Sequence, residues 1–575
     1  MTRLLCVLCV LCSSALSSLA LDRHVFTFTR YVLNARIEPE QQRLGMRGKI
    51  TLRNDSDAPQ KNLSLQISSS LHWSSIEFEG KPVEFVSQSY TSDIDHTGAL
   101  TEAIVVLPRP VLPKQNFDLE IGYEGTIPQD ATRLTRIGVP ADVAKHSDWD
   151  QIGSTFTAVR GIGYVAWYPI ATEAVSLSDG NSVFEEVGKW KQREVGVEMK
   201  IKFSHSNASG LRPILFCNGS GSVLSEETLG AFYSVETECR FAQPKLMVPL
   251  FVIANYAALD KLAVNISHSP QHKSGSDDYA RAVEQVAPLV SKWLGDHREK
   301  PEQKGEVIDL PDPEAESFES GSMLLMPLTG NETTLLLSAL RQLAHLYFPS
   351  PRAWISEGLA GYAQARYLQE EKGRDAALAY LQSHRNTLLQ AEKVSNEGNR
   401  ESEHSLIATT DDFYLQAKAM NVWWMLKDII GDTAFSAALH NYNAKEDNDQ
   451  HYMQKLIEAQ AHRDLEWFFD NWVYRGRTLP DLRIAAVYPR PLENAGCMVA
   501  VTVENVGEAG AEVPVTVHMV TGEATERLII PGKSRASVRI VAPAAPQEVT
   551  VNDGSVPESG TSNHVYKIET EQLRH

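Results

Sequence analysis

The apolar residues of this 575-residue chain change their spacing twice, and each change marks a change of architecture. From residue 21 to 258 they recur mainly at every second position. Phe117, Leu119, Ile121 and Tyr123 alternate with Asp118, Glu120, Gly122 and Glu124, and Leu33, Ala35 and Ile37 alternate with Asn34 and Arg36. Alternate residues of a strand point to opposite faces, so this pattern predicts an N-terminal antiparallel β domain with one buried face. From 259 to 478 the spacing becomes helical, as at Val283, Val286, Ala287, Val290 and Leu294. Helices are predicted near 332–348, 354–370, 374–392, 414–430 and 433–442, with Gly431 as a stop. A short strand is predicted over 307–310. Residues 422–426 (VWWML) are apolar on every side, which places their helix at the centre of its domain. From 479 to 555 period two returns in four short strands separated by Gly-rich turns, the pattern of a small β-sandwich. Pro514 marks one of these strands as an edge, because proline cannot donate to a ladder. Residues 556–575 read as a polar tail. The expected fold class is multidomain α+β.

Residues 1–20 read as a secretory signal peptide: Arg3, an apolar run over 4–11, then the small-x-small site Ser18-Leu19-Ala20. Cys6, Cys9 and Cys12 lie in this leader. Removal of the leader places the chain outside the cytoplasm, secreted or periplasmic. There Cys217 and Cys239 either bridge two strands or stay as separate buried thiols. Asn54, Asn62, Asn207, Asn218, Asn265 and Asn331 head N-x-S/T sequons, which carry glycans only in a eukaryotic secretory pathway. With 54 Lys+Arg against 73 Asp+Glu, the chain has no electrostatic basis for binding nucleic acid. The longest later apolar run, 246–254, contains Pro249 and falls short of the ~20 residues a spanning helix needs. The acidic run 446–449 lacks calcium-loop spacing and reads as a solvated loop. Ser320-Gly-Ser322 is not a nucleophile elbow, and no dinucleotide or phosphate-loop glycine motif occurs.

Residues 340–362 read LRQLAHLYFPSPRAWISEGLAGY. Two helical segments flank Pro349 and Pro351, with His345 late in the first and Glu357 early in the second. This stretch resembles the gluzincin metallopeptidases, in particular the membrane alanine aminopeptidase (aminopeptidase N-like) family, with a degenerate H-E-x-x-H motif. Residues four apart on a helix project on one side, so two imidazoles can reach one ion while the Glu between them activates its water. Residues 413–432 resemble the family's Tyr-x-Lys-Gly helix and the turn after it. Residues 464–472 and 479–483 resemble its closing segments, and 320–324 falls where the family has its G-x-M-E-N strand. The resemblance implies a thermolysin-like central domain and, in its usual members, zinc-dependent release of N-terminal residues.

Carried over by position, His345 and Glu357 match metal ligands, but the first ligand position is Arg341. The general base aligns with Gln342, the oxyanion-stabilising Tyr with Gln416, and the amine-binding Glu with Leu324. Tyr414, two residues from Gln416, is the candidate substitute. Two ligands are fewer than a catalytic zinc needs, and an amide cannot serve as a base near neutral pH. No cofactor is therefore expected, and the Arg341 guanidinium is expected to stand in for zinc, paired with Glu357. Three functions follow from the resemblance. The chain is a pseudopeptidase binding a peptide or protein partner in a cleft lined by Trp354 and Tyr362. Alternatively it is an active zinc aminopeptidase with an unusual ligand set, or a non-catalytic assembly subunit.

Overall fold

The computed structural model describes residues 21–194, 197–207, 209–241, 247–261, 263–397, 405–476, 478–492, 496–560 and 564–569. Residues 1–20, with Cys6, Cys9 and Cys12 and the expected signal peptide, lie outside this set. The chain forms two compact units, residues 1–256 and 257–575. Strands dominate the first, and the second places helices before a C-terminal pair of sheets, giving a multidomain α+β architecture.

The first unit is built on an eight-stranded sheet. Its spatial order is Ser220–Leu229, Phe232–Phe241, Glu198–Asn207, Phe26–Glu38, Arg43–Asn54, Asn116–Thr126, Leu71–Phe78 and Lys81–Pro82. The alternation is realised as burial: Leu33, Ala35 and Ile37 are buried while Asn34 and Arg36 face solvent. One expectation needs correction. Phe26–Glu38 and Glu198–Asn207 pair in parallel, so the domain is not purely antiparallel. The long connection between them carries the Ser182–Arg193 helix, the kind of crossover a parallel pair requires. Cys217 and Cys239 are joined as a disulfide, while Cys497 in the second unit is a buried free thiol.

The second unit opens with a five-stranded sheet in the order Ala257–Asp260, Val264–His268, Gly305–Asp309, Met323–Met326 and Phe318–Ser320. The last two form a hairpin whose turn uses Gly321 at φ +63°, a left-handed conformation that glycine adopts without strain. Helix Lys273–Leu294 connects Val264–His268 to Gly305–Asp309, and helices Glu332–Tyr347, Ala353–Lys372 and Asp412–His440 follow the sheet. Trp423 and Trp424 are fully buried on the last of these. Gly431, at φ +79°, interrupts its helical geometry where a stop was expected. The helix expected over 374–392 is two, Arg374–Ser383 and Arg385–Glu397.

Ala353–Lys372 crosses Asp412–His440 at close range. A Cβ on Gly358 would lie 2.4 Å from Trp423 Cδ1, and one on Gly361 would lie 2.8 Å from Met420 Cβ. Trp354 stacks on Trp423 at 5.3 Å, and Tyr362 packs against Trp424 and Phe435. Both are about 2% exposed, so they belong to the core rather than to a cleft wall.

The C-terminal region holds a three-stranded and a four-stranded sheet. Pro514 does not mark an edge: Ala511–Met519 pairs with Gly522–Ile530 on one side and Pro546–Val551 on the other. The Pro514 carbonyl accepts from Asn552 N, just beyond the paired part of Pro546–Val551, so the missing N–H falls where that ladder has ended. The polar tail is also partly built in. Val556 and Glu558 are buried, the Glu558 carboxylate accepts from Leu482 N at 2.8 Å, and Val565–Lys567 pairs with Pro546–Val551. Among the described residues no helix is long and apolar enough to cross a membrane.

Candidate functional site

The Glu332–Tyr347 helix starts at Asn331, whose side chain accepts from Thr334 N at 3.0 Å, and Glu332 in its first turn favours the positive helix end. Its apolar side, including Leu336, Ala339, Leu340 and Leu343, enters the core. Arg341 and His345, four residues apart, leave that core together on the partly exposed side. Glu357 comes from the next helix, and the close approach required by Gly358 fixes its height.

A fourth side chain completes the group. Glu319, on the Phe318–Ser320 strand, places Oε1 2.9 Å from His345 Nδ1 and Oε2 3.2 Å from Arg341 Nε. The Arg341 Nη2 group donates to Glu357 Oε2, and His345 Nε2 lies 3.5 Å from Glu357 Oε1. The guanidinium therefore bridges two carboxylates instead of forking onto Glu357 alone. The imidazole bridges the same two carboxylates from the other side. Because a carboxylate only accepts, His345 Nδ1 carries the proton toward Glu319. Burial opposes charge on His345, but Glu319 and Glu357 outweigh it, and Arg341 restores only part of the difference, so its pKa is raised. Burial likewise opposes charge on Arg341, and the same two carboxylates overcome it and raise its pKa further. With His345 protonated, two cations face two carboxylates and the cluster is neutral.

Gln342 serves the floor of the site. It is about 2% exposed; its Oε1 accepts from Tyr279 OH at 2.9 Å and its Nε2 donates to Glu306 O at 3.1 Å. Both ends of the amide are used, one tying the helix to Lys273–Leu294 and the other to the sheet. Leu324 also belongs to the structure: it is buried in the core of the second unit, directly across the hairpin from Glu319. The carboxylate of this hairpin thus enters the site from Glu319, not from position 324. Tyr414 is buried near the start of Asp412–His440, where Asp411 accepts from its backbone N–H and the Lys418 ammonium lies 5.4 Å from its ring centre. Gln416 is half-buried about one turn into that helix.

The acidic run is not simply solvated. Asp447 is buried, paired with Arg352 Nε at 2.5 Å and accepting from Tyr442 OH at 3.0 Å. Among the described residues no group of three or more His, Cys, Asp or Glu is arranged to hold a metal ion. The donor set itself opposes zinc. A permanent cation already touches both carboxylates, so a dication beside His345 and Glu357 would meet the guanidinium at short range. The residues present do not fit that metal.

The chain matches no protein-family model and no curated protein. Among solved structures it is similar to the M1 zinc metallopeptidase of Deinococcus radiodurans. A mutant of that enzyme bound to a Tyr-Ser-Ala substrate is 16% identical, with a TM-score of 0.48, over 80% of this chain and 96% of that one. A second structure of the same mutant is 18% identical, with a TM-score of 0.46, over 79% and 96%. The unmutated enzyme is 18% identical, with a TM-score of 0.46, over 80% and 96%. All three of these neighbours are forms of one M1 zinc metallopeptidase.

Proposed function

We propose that this chain is a secreted aminopeptidase-like protein that has lost hydrolysis and acts by binding a peptide or protein partner. The observation that carries this reading is the Arg341 guanidinium lodged between Glu319 and Glu357. Water activation in a gluzincin needs a dication and a base, and here a fixed monocation and a committed amide stand at those positions. Loss of a single transition-state donor already costs about 10²–10³ in rate, and here several roles are unfilled together. With Trp354 and Tyr362 used in the core, recognition rests on charge. Arg341 and Glu357 remain about 27% and 24% exposed, enough for a ligand's polar groups to reach them. Export is supported by the Cys217–Cys239 bridge, since disulfides persist in oxidising compartments.

The decisive experiment measures metal content and amino-acid anilide hydrolysis on one sample of the purified chain. The expected result is substoichiometric transition metal and no chelator-sensitive hydrolysis. About one zinc per chain together with chelator-sensitive product release overturns the reading and restores the active-enzyme alternative.

A further inference from the structure

The six sequons are the sequence motifs that the proposed function leaves unused, and the structure sorts them. In N-glycosylation the asparagine Nδ2 forms a bond to the anomeric carbon of a lipid-pyrophosphate-linked oligosaccharide. One amide proton is lost and the lipid pyrophosphate leaves. An acceptor compatible with the folded state therefore needs an Nδ2–H that the fold does not use, and open space beyond it.

Asn54 has neither. It is fully buried at the end of Arg43–Asn54, and its Nδ2 donates to both Ala58 O and Val111 O at 2.9 Å. Asn218 is 6% exposed; its Nδ2 donates to Val248 O at 2.8 Å while its Oδ1 accepts from Leu250 N at 3.0 Å. Asn207 is buried on Glu198–Asn207. Asn265 commits Nδ2 to Glu306 Oε1 at 2.7 Å, beside the carbonyl that holds Gln342. Two positions differ. Asn62 is exposed on Gln60–Ser68, an edge strand of its sheet. Asn331 is exposed, and it caps its helix through Oδ1, which a glycan on Nδ2 leaves in place.

We infer that Asn62 and Asn331 are the two sequons at which this fold can carry an N-linked oligosaccharide, and that a glycan on Asn54 or Asn218 excludes the native state. Transfer to nascent chains precedes folding, so burial does not protect the last two in a glycosylating compartment. It makes their modification a folding lesion. A sugar at Asn54 would remove one of the two Nδ2 hydrogen bonds and demand volume inside a packed core.

The test expresses the full chain through the secretory pathway of a cultured eukaryotic host. One arm adds an inhibitor of lipid-linked oligosaccharide synthesis. Another carries Ser220→Ala, which abolishes the Asn218 sequon at an exposed serine whose hydroxyl donates to Arg240 O at 3.5 Å. Secreted material with the Cys217–Cys239 bridge intact is treated with an amidase that converts each glycosylated Asn to Asp in ¹⁸O water, and labelled sites are read by mass spectrometry. Label is expected at Asn62 and Asn331 and absent at Asn54 and Asn218. The inhibitor is expected to raise the yield of native protein by about twofold or more, and Ser220→Ala to raise it in part. Label at Asn54 or Asn218 in the native fraction overturns the inference, as does native protein unlabelled at both Asn62 and Asn331. If the host secretes no native protein, recovery with the inhibitor supports the inference and failure to recover overturns it. None of these outcomes depends on whether the chain hydrolyses peptides.

Discussion

Replacing Arg341 with Ala removes the cation between two carboxylates that are only about 11% and 24% exposed. Breaking a buried pair by deleting one partner costs about 3–5 kcal/mol, because the remaining charge stays desolvated. Arg341 is itself 27% exposed, so water can enter the gap, and the expected loss is nearer 2–4 kcal/mol. The sign of its pH dependence follows from His345. Arg341 depresses the His345 pKa while the carboxylates raise it, so without Arg341 the imidazole becomes more basic and takes over as the cluster's cation. A histidine whose folded pKa exceeds its unfolded value of about 6.5 contributes stability that is full below that value and is lost as pH rises through the folded pKa. The Arg341→Ala deficit should thus be smaller at mildly acidic pH and grow toward alkaline pH. Urea unfolding of the second unit, followed by fluorescence of its buried tryptophans, measures the effect. Lys455→Ala, which removes a pair exposed by 69% and 47%, serves as the control and should cost less than about 0.5 kcal/mol. A cycle with Glu357→Gln should show coupling of about 1–3 kcal/mol. A deficit equal to the control, or strict additivity in the cycle, refutes the view that Arg341 neutralises this site.

Three further outcomes are expected. Gln342→Glu sets a carboxylate oxygen against Glu306 O in a buried site, so urea unfolding should show a loss of about 2–4 kcal/mol at neutral pH that shrinks in acid as the new carboxyl protonates. Glu194 is fully buried, and burial pushes its pKa up to about 8 despite the neighbouring Arg193. Between its unfolded value and that pH the folded chain holds the extra proton, so thermal stability of the first unit should fall as pH rises through this window, by a few kcal/mol in order of magnitude, and Glu194→Gln should flatten the dependence. Gly358→Ala drives a methyl into Trp423 and should cost about 2–3 kcal/mol in chemical denaturation, whereas Gly373→Ala, with open space around it at φ +88°, should cost less and only through backbone strain.

Much of this architecture was legible because burial writes itself into spacing. The strands around Leu33 and Ile121, the central Trp423-Trp424 helix and the break at Gly431 all follow from periodicity or from glycine. The meeting of Arg341 and Glu357 follows from their places on consecutive helices. What escaped is non-local. The parallel partner of Phe26–Glu38 lies some 170 residues downstream and leaves no periodic trace. Gln342 is held by Tyr279, 63 residues upstream, which no helical pattern couples to it. Glu319 sits on a strand of three residues, too short for any period. Its one signal was the Gly321-Ser322 dipeptide, a two-residue hairpin turn that sets Glu319 across from Leu324.

The cluster also constrains what substitution could do at this site. Arg341→His alone would supply a second imidazole but leave two carboxylates without their permanent cation. Gln342→Glu alone would supply a base but place it against a carbonyl that now expects a donor. Each substitution is therefore expected to destabilise, and the two share one helix turn, so their costs should not simply add. The Glu306 carbonyl accepts from Gln342 while its carboxylate holds Asn265, and the sheet that carries them also carries Glu319. Placing a carboxylate at position 342 without strain would thus require re-registering the Glu332–Tyr347 helix on that sheet. A change of that size involves packing as well as chemistry. The ion cluster and the Gln342 hydrogen bonds together hold this helix in one register on the sheet.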